Sequence, residues 1–149
     1  MNDQQQRTLS SILDAIIPPS DDGRFPGAGA LGLVAHIAAA IERAPELGLT
    51  IEPGLAAAEE LARADRGRAF AELSGAQRQS VLQALDAAQP GFLPTLTFHA
   101  YAGYYQHPRV IEALGMEPRP PHPHGYAMEP NDLSLLDLVR RRATLYRAG

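Results

Sequence analysis

The 149-residue chain contains no cysteine and no lysine. Without cysteine there is no disulfide framework, no thiolate metal site and no cysteine nucleophile, and the redox compartment is left unread. Without lysine, Schiff-base and P-loop lysine chemistry is excluded; all 13 basic residues are arginine. Together with the abundant alanine, that bias reads mainly as codon usage. No run of about 18 apolar residues is present to span a bilayer. Met1 to Arg7 leads straight into an amphipathic pattern, without the basic, apolar and small-residue regions of a secretory signal. On sequence alone the expected location is therefore cytoplasmic. Positive charge is also short: the net charge is −4, with seven arginines against twelve acids over residues 1–90 and +1 over the rest. Nucleic acid binding would require a basic face, so no nucleic acid partner is expected.

What is present is an ordinary globular composition, 45% hydrophobic and 20% charged, at a length suited to one domain spanning 1–149. Leu9, Ile12, Leu13, Ile16 and Ile17 repeat as one helical stripe that Pro18 and Pro19 end. Residues 18–29 are rich in turn formers. A second helix is expected over Ala30–Arg43, closed by Pro45, with Leu33, Val34, Ile37, Ala38 and Ile41 inward. A third runs over about Ile51–Arg66, with Pro53 in its first turn and Leu55, Ala58, Leu61 and Ala62 inward. Phe70 and Leu73 anchor a short link. Ser74 and Gln77 form a capping-box pattern before a fourth helix carrying Val81, Leu82, Leu85 and Ala88. Gly91 to Tyr105 reads as a fifth, largely buried helix, followed by a short one around Val110–Leu114 that stops at Gly115. Residues 117–131 hold five prolines and form an irregular arm, and a last helix is expected over Asp132–Tyr146. No segment alternates with the period of two that a strand requires. The expected fold is all-α, one domain of about five to seven helices with a proline-rich arm near the C-terminus.

Gly27-Ala28-Gly29-Ala30-Leu31-Gly32 matches the dinucleotide fingerprint letter for letter. The chemistry needs a strand leading into that turn, and none precedes it, so a flexible helix entry is the better reading. Asp21, Asp22 and Gly23 read as a turn, because the alternating ligands of a calcium loop are missing. Glu59-Glu60 and Arg140-Arg141-Arg142 read as solvated faces. No G-x-S-x-G nucleophile elbow exists. His36 and His99 sit in apolar helical surroundings and read as core or contact residues. His107, His122 and His124 could supply the three ligands of a catalytic metal site, but without helical H-x-x-x-H spacing. A stand-alone metal-dependent enzyme is the alternative this trio keeps open; a stiff proline–histidine docking segment is the simpler use.

Residues 98–109 hold three of the five tyrosines. Tyrosine pairs a ring that prefers burial with a hydroxyl that wants a partner, and it is enriched at interfaces. On one helix Phe98, Tyr101 and Tyr105 share a broad face, with Tyr104 about 60° from it if 3.6 residues make a turn. Such a helix is apolar nearly all round, so a partner is expected to cover part of it, including Tyr104 and Tyr105. The expected partner-binding residues are Tyr101, Tyr104, Tyr105, His107, Pro108, His122, His124 and Tyr126; no catalytic, cofactor or metal residues are expected.

Four stretches together resemble a known family. Leu13-Asp14-Ala15-Ile16-Ile17-Pro18, Gly27-Ala28-Gly29, Tyr101 to Pro108 and Pro120 to Tyr126 are laid out as in the gluconate 2-dehydrogenase subunit 3 family. Leu133 to Asp137, Arg140-Arg141-Arg142 and Tyr146-Arg147 fit as well. The resemblance implies a small accessory subunit of a sugar or alcohol dehydrogenase whose large subunit is a flavoprotein of the glucose–methanol–choline type. It implies no flavin in this chain, FAD in the large subunit, and a role in accompanying, folding or stabilising that partner. Many members begin with a twin-arginine export signal. This chain departs there, with Arg7 standing alone, and a periplasmic location requires export together with a signal-bearing partner.

Overall fold

A computed structural model of the protein describes residues 1–119, 122, 125, 128–134 and 136–142. The chain divides into a compact body, Met1–Pro118, and a second unit, Arg119–Gly149. Every regular element among the described residues is helical, so the all-α expectation holds.

Helix α1, Asp3–Ile16, starts at a full capping box: the Asn2 side chain accepts from the Gln5 amide at 2.9 Å, and Gln5 accepts from the Asn2 amide at 2.8 Å. Its stripe of Leu9, Ile12 and Leu13 is fully buried, as the spacing predicts. The expected single helix over Ala30–Arg43 is two elements, a 3-10 turn at Ala28–Leu31 and helix α2 at Leu33–Arg43. Gly32 separates them with a left-handed φ of 69°, a conformation that glycine alone adopts cheaply.

Helix α3 is longer than the sequence indicates, Pro45–Arg66 instead of Ile51–Arg66. Pro45 does not close the preceding helix; it opens this one at a position whose amide would have no helical partner anyway. Pro53 then lies inside the helix and deprives the Leu49 carbonyl of its donor. Leu49 is 79% exposed, so water can serve that side of the helix. One residue on, Gly54 is packed directly under the ring of Phe92, where an added Cβ would overlap ring atoms. Helix α3 runs against α1, α2 and two later helices and is the spine of the body.

After a 3-10 turn at Phe70–Glu72, helix α4 spans Gly75–Ala88 behind the expected Ser74–Gln77 capping box. Helix α5 is Phe92–Tyr104, and α6 is Pro108–Ala113. Gly115 follows α6 with a φ of 78°. In the second unit, α7 covers Leu136–Arg140; of the helix expected over Asp132–Tyr146, residues 143–149 lie outside the described residues.

Glu59 is a further correction. It does not belong to a solvated face: its side chain is 12% exposed, and Oε1 accepts from Gln4 Nε2 at 2.9 Å, Thr8 Oγ1 at 2.6 Å and the Phe70 amide at 3.2 Å. One carboxylate thus ties α1, α3 and the Phe70 turn together, with Arg63 Nε 3.5 Å from Oε2. Oε2 is buried and accepts no hydrogen bond among the described residues, so the Arg63 guanidinium beside it is what offsets the charge on that side.

Candidate docking face

The glycine fingerprint has a packing role. The Gly29 amide donates to Asp14 Oδ1 at 2.8 Å. A Cβ on Gly27 would stand 2.5 Å from Asp14 Oδ1, and one on Gly29 would stand 2.5 Å from the Ser10 carbonyl. Both glycines let the turn lie against α1, with a carboxylate of the chain itself where a nucleotide phosphate would need to be. The preceding residues are bend and turn, not strand.

Opposite in character is the outer side of α5. Phe92, Leu96, Ala100, Gly103 and Tyr104 face the core. Gly103 allows α2 to approach closely, since a Cβ there would meet His36 Cδ2 at 2.9 Å and Leu33 Cδ2 at 3.1 Å. The other side carries Pro94, Phe98, Tyr101 and Tyr105, all exposed and spaced four, three and four residues apart. That spacing is one straight seam on a helix. Phe98 is 70% exposed, Tyr101 43% and Tyr105 54%. The Tyr101 and Tyr105 rings are stacked, 6.0 Å between centroids and 13° between planes. Phe98 meets the half-buried His99 edge to face at 5.3 Å. With about 150–250 Å² per aromatic side chain, these three rings present roughly 250–400 Å² of uncharged surface, comparable to the largest patch on a typical monomer.

Tyr104 leaves the candidate set. It is 3% exposed, and its hydroxyl donates to the Pro26 carbonyl at 2.9 Å. Burial, with a smaller contribution from neighbouring Tyr105, pushes its phenol above the ordinary tyrosine range. Its place one step round the helix from Tyr105 turns it under the loop of residues 18–29, so the chain itself covers it. Arg24 of that loop stacks over Phe25 and donates from Nε to the Ala113 carbonyl at 2.7 Å.

His107 and Pro108 are close in sequence to this seam but already have local roles. His107 caps α6, Nδ1 accepting from the Arg109 amide at 3.3 Å, and Pro108 is its first helical residue. The imidazole is half-buried and the proline exposed. His122 is exposed in the second unit, whereas His124 and Tyr126 lie outside the described residues. Sequence reasoning missed Pro94 and left Phe98 out of the partner-binding set; the four-three-four spacing was the signal that could have found both.

Among the described residues no helix is long and apolar enough to cross a membrane, and no group of three histidine or acidic side chains is placed to hold a metal ion. Residues 3–118 match the family model described as gluconate 2-dehydrogenase subunit 3. No curated protein and no solved structure matches the chain.

Proposed function

Because this chain belongs to the gluconate 2-dehydrogenase subunit 3 family, we propose that it is a non-catalytic small subunit that binds a large FAD-dependent dehydrogenase subunit of the glucose–methanol–choline type. Its work there is to stabilise or mature a sugar or alcohol dehydrogenase; FAD belongs to the large subunit and none to this chain. The observation that carries the reading is the uncovered seam of Phe98, Tyr101 and Tyr105 on α5. Clustered exposed aromatics of this kind are the usual core of a protein interface. Roughly 800 Å² per partner is usual for a stable interface, so the seam forms the centre of a contact that must extend further. His107 and Pro108 are its nearest extension along the chain, and His122, His124 and Tyr126 belong to the same docking set on the proline-rich arm.

Co-expression with a large glucose–methanol–choline dehydrogenase subunit tests this reading. Flavin absorbance should co-elute with the small chain on gel filtration, and the small chain purified alone should be colourless. A large subunit that folds and retains FAD equally well alone, and never co-elutes with this chain, refutes it.

A further inference from the structure

Of all the aspartates and asparagines in the chain, only Asp22 is followed by glycine. That pairing matters chemically, because the Gly23 amide nitrogen can close a five-membered ring on the Asp22 side-chain carbon Cγ, and glycine has no side chain to shield it. The attack forms an N–Cγ bond and breaks one Cγ–O bond. The hydroxyl of the protonated carboxyl leaves with the amide proton as water, and a succinimide remains. A second water then reopens the ring. Cleavage at Cγ restores aspartate; cleavage at the main-chain carbonyl carbon leaves β-aspartate, whose backbone is one methylene longer. Water is the only other reactant.

Asp22 and Gly23 are both exposed. Gly23 has a φ of 70° and nothing within 4 Å of where a Cβ would stand, so no neighbouring atom blocks the rearrangement. What opposes it is the hydrogen bonding of the turn. Asp22 Oδ1 accepts from Ser20 Oγ at 2.5 Å and from the Arg24 amide at 3.0 Å. Those bonds favour the ionised carboxylate, which is the poor electrophile, and hold the carboxyl below its usual range. The attacking nitrogen is occupied as well, since the Gly23 amide donates to the Ser20 carbonyl at 3.0 Å. Ser20 also closes the turn from outside: its Oγ accepts from the Phe25 amide at 2.8 Å, and its amide donates to the Phe25 carbonyl at 2.9 Å. One serine therefore restrains both reacting groups.

We propose that Asp22–Gly23 is a site of spontaneous aspartate isomerisation, that the Ser20 hydroxyl restrains it, and that its product loosens the Pro26 loop from the body. The last step follows from what lies just downstream. Arg24 Nε reaches the Ala113 carbonyl at 2.7 Å, and the Pro26 carbonyl receives the Tyr104 hydroxyl at 2.9 Å. A methylene added to the backbone before both residues displaces them from those partners. The inference is independent of the subunit role proposed above.

The test ages the full chain at neutral pH, folded and in urea, with Ser20→Ala, Ser20→Thr and Asp22→Glu beside the wild type. β-Aspartate is counted by isoaspartyl methyltransferase labelling and placed by peptide mapping. The label should fall on residue 22 and appear fastest in urea. In the folded chains it should accumulate about fivefold faster in Ser20→Ala than in the wild type, the rate equivalent of one hydrogen bond. Ser20→Thr, which keeps the hydroxyl, should age like the wild type, and Asp22→Glu, whose carboxyl is one carbon too far for the ring, should lose the label. Wild type enriched in β-aspartate should melt below fresh protein. Label spread evenly over the other aspartates, or none at residue 22 in the alanine variant, overturns the site. Equal rates for the serine and alanine chains, or a threonine chain as fast as the alanine one, overturn the restraint by Ser20. An enriched chain that melts with the fresh one overturns the loosening of the loop.

Discussion

Replacing Tyr104 by phenylalanine removes one oxygen and nothing else, at a site where the fold depends on that oxygen. The phenol is 3% exposed and is recorded with one partner, the Pro26 carbonyl at 2.9 Å. A neutral hydrogen bond contributes about 0.5–1.5 kcal/mol, and an acceptor left buried without a donor costs about 1–3 kcal/mol. Pro26 is only half-buried, so water can partly replace the hydroxyl, and the expected loss is about 1–1.5 kcal/mol. Urea denaturation of the isolated chain measures it as a lower midpoint with an unchanged slope. Tyr104→Ala should lose about 3–5 kcal/mol, the range for truncating a buried aromatic. Tyr104 also carries a pH signature. Its folded pKa is raised above the ordinary value of 10.0, so its contribution is complete below pH 10 and is lost as pH climbs through the folded value. The phenylalanine variant should lack that alkaline component. A Tyr104→Phe protein as stable as wild type, with the same alkaline decline, would show that the hydroxyl does not hold the Pro26 loop.

Gly54→Ala places a methyl group inside the ring of fully buried Phe92, and overpacking of this kind should cost about 1–3 kcal/mol despite alanine's better helix propensity. Thermal melts that rise instead of falling would contradict the packing described. Glu59→Ala strips Gln4, Thr8 and the Phe70 amide of their shared acceptor and should lose about 2–4 kcal/mol; Glu59→Gln, which keeps one carbonyl oxygen, should lose clearly less. Equal losses would mean that the carbonyl geometry does not matter. Asp22 accepts from Ser20 Oγ and the Arg24 amide, and those bonds hold its carboxyl below the ordinary aspartate value of 3.8. Its contribution is therefore present above that value and lost as pH falls through the lower folded one. An Asp22→Asn variant should show a weaker loss of stability as pH falls below the ordinary aspartate value of 3.8, checked by melting temperature on the acid side of it.

Much of the fold was legible because helix periodicity and local capping agreed. The Leu9–Ile12–Leu13 stripe and the Ser74–Gln77 box each fixed an element from a few neighbouring residues. The prolines misled for a definable reason: Pro45 and Pro53 read as a stop and a start, yet proline is compatible with a first helical turn and tolerable inside a helix where its lost bond faces water. Glu59 looked solvated because nothing local marks it; its partners are 51 and 55 residues away on α1. Tyr104 and Tyr105 look alike in sequence, and only the fold-back of the loop at Pro26, 78 residues earlier, separates core from surface. The α5 seam was legible through Phe98, Tyr101 and Tyr105, because a single helix imposes its own periodicity.

The subunit role is tested most directly by the affinity of the purified large FAD-dependent dehydrogenase subunit for the wild-type chain and for Tyr105→Ala. Tyr105 is 54% exposed beside Tyr101, so its loss leaves the isolated chain folded. If α5 is the centre of the interface, the variant should bind about 30-fold more weakly, the effect of roughly 2 kcal/mol at a hot spot. Equal affinity for both chains, with the variant as helical as the wild type, would contradict the account.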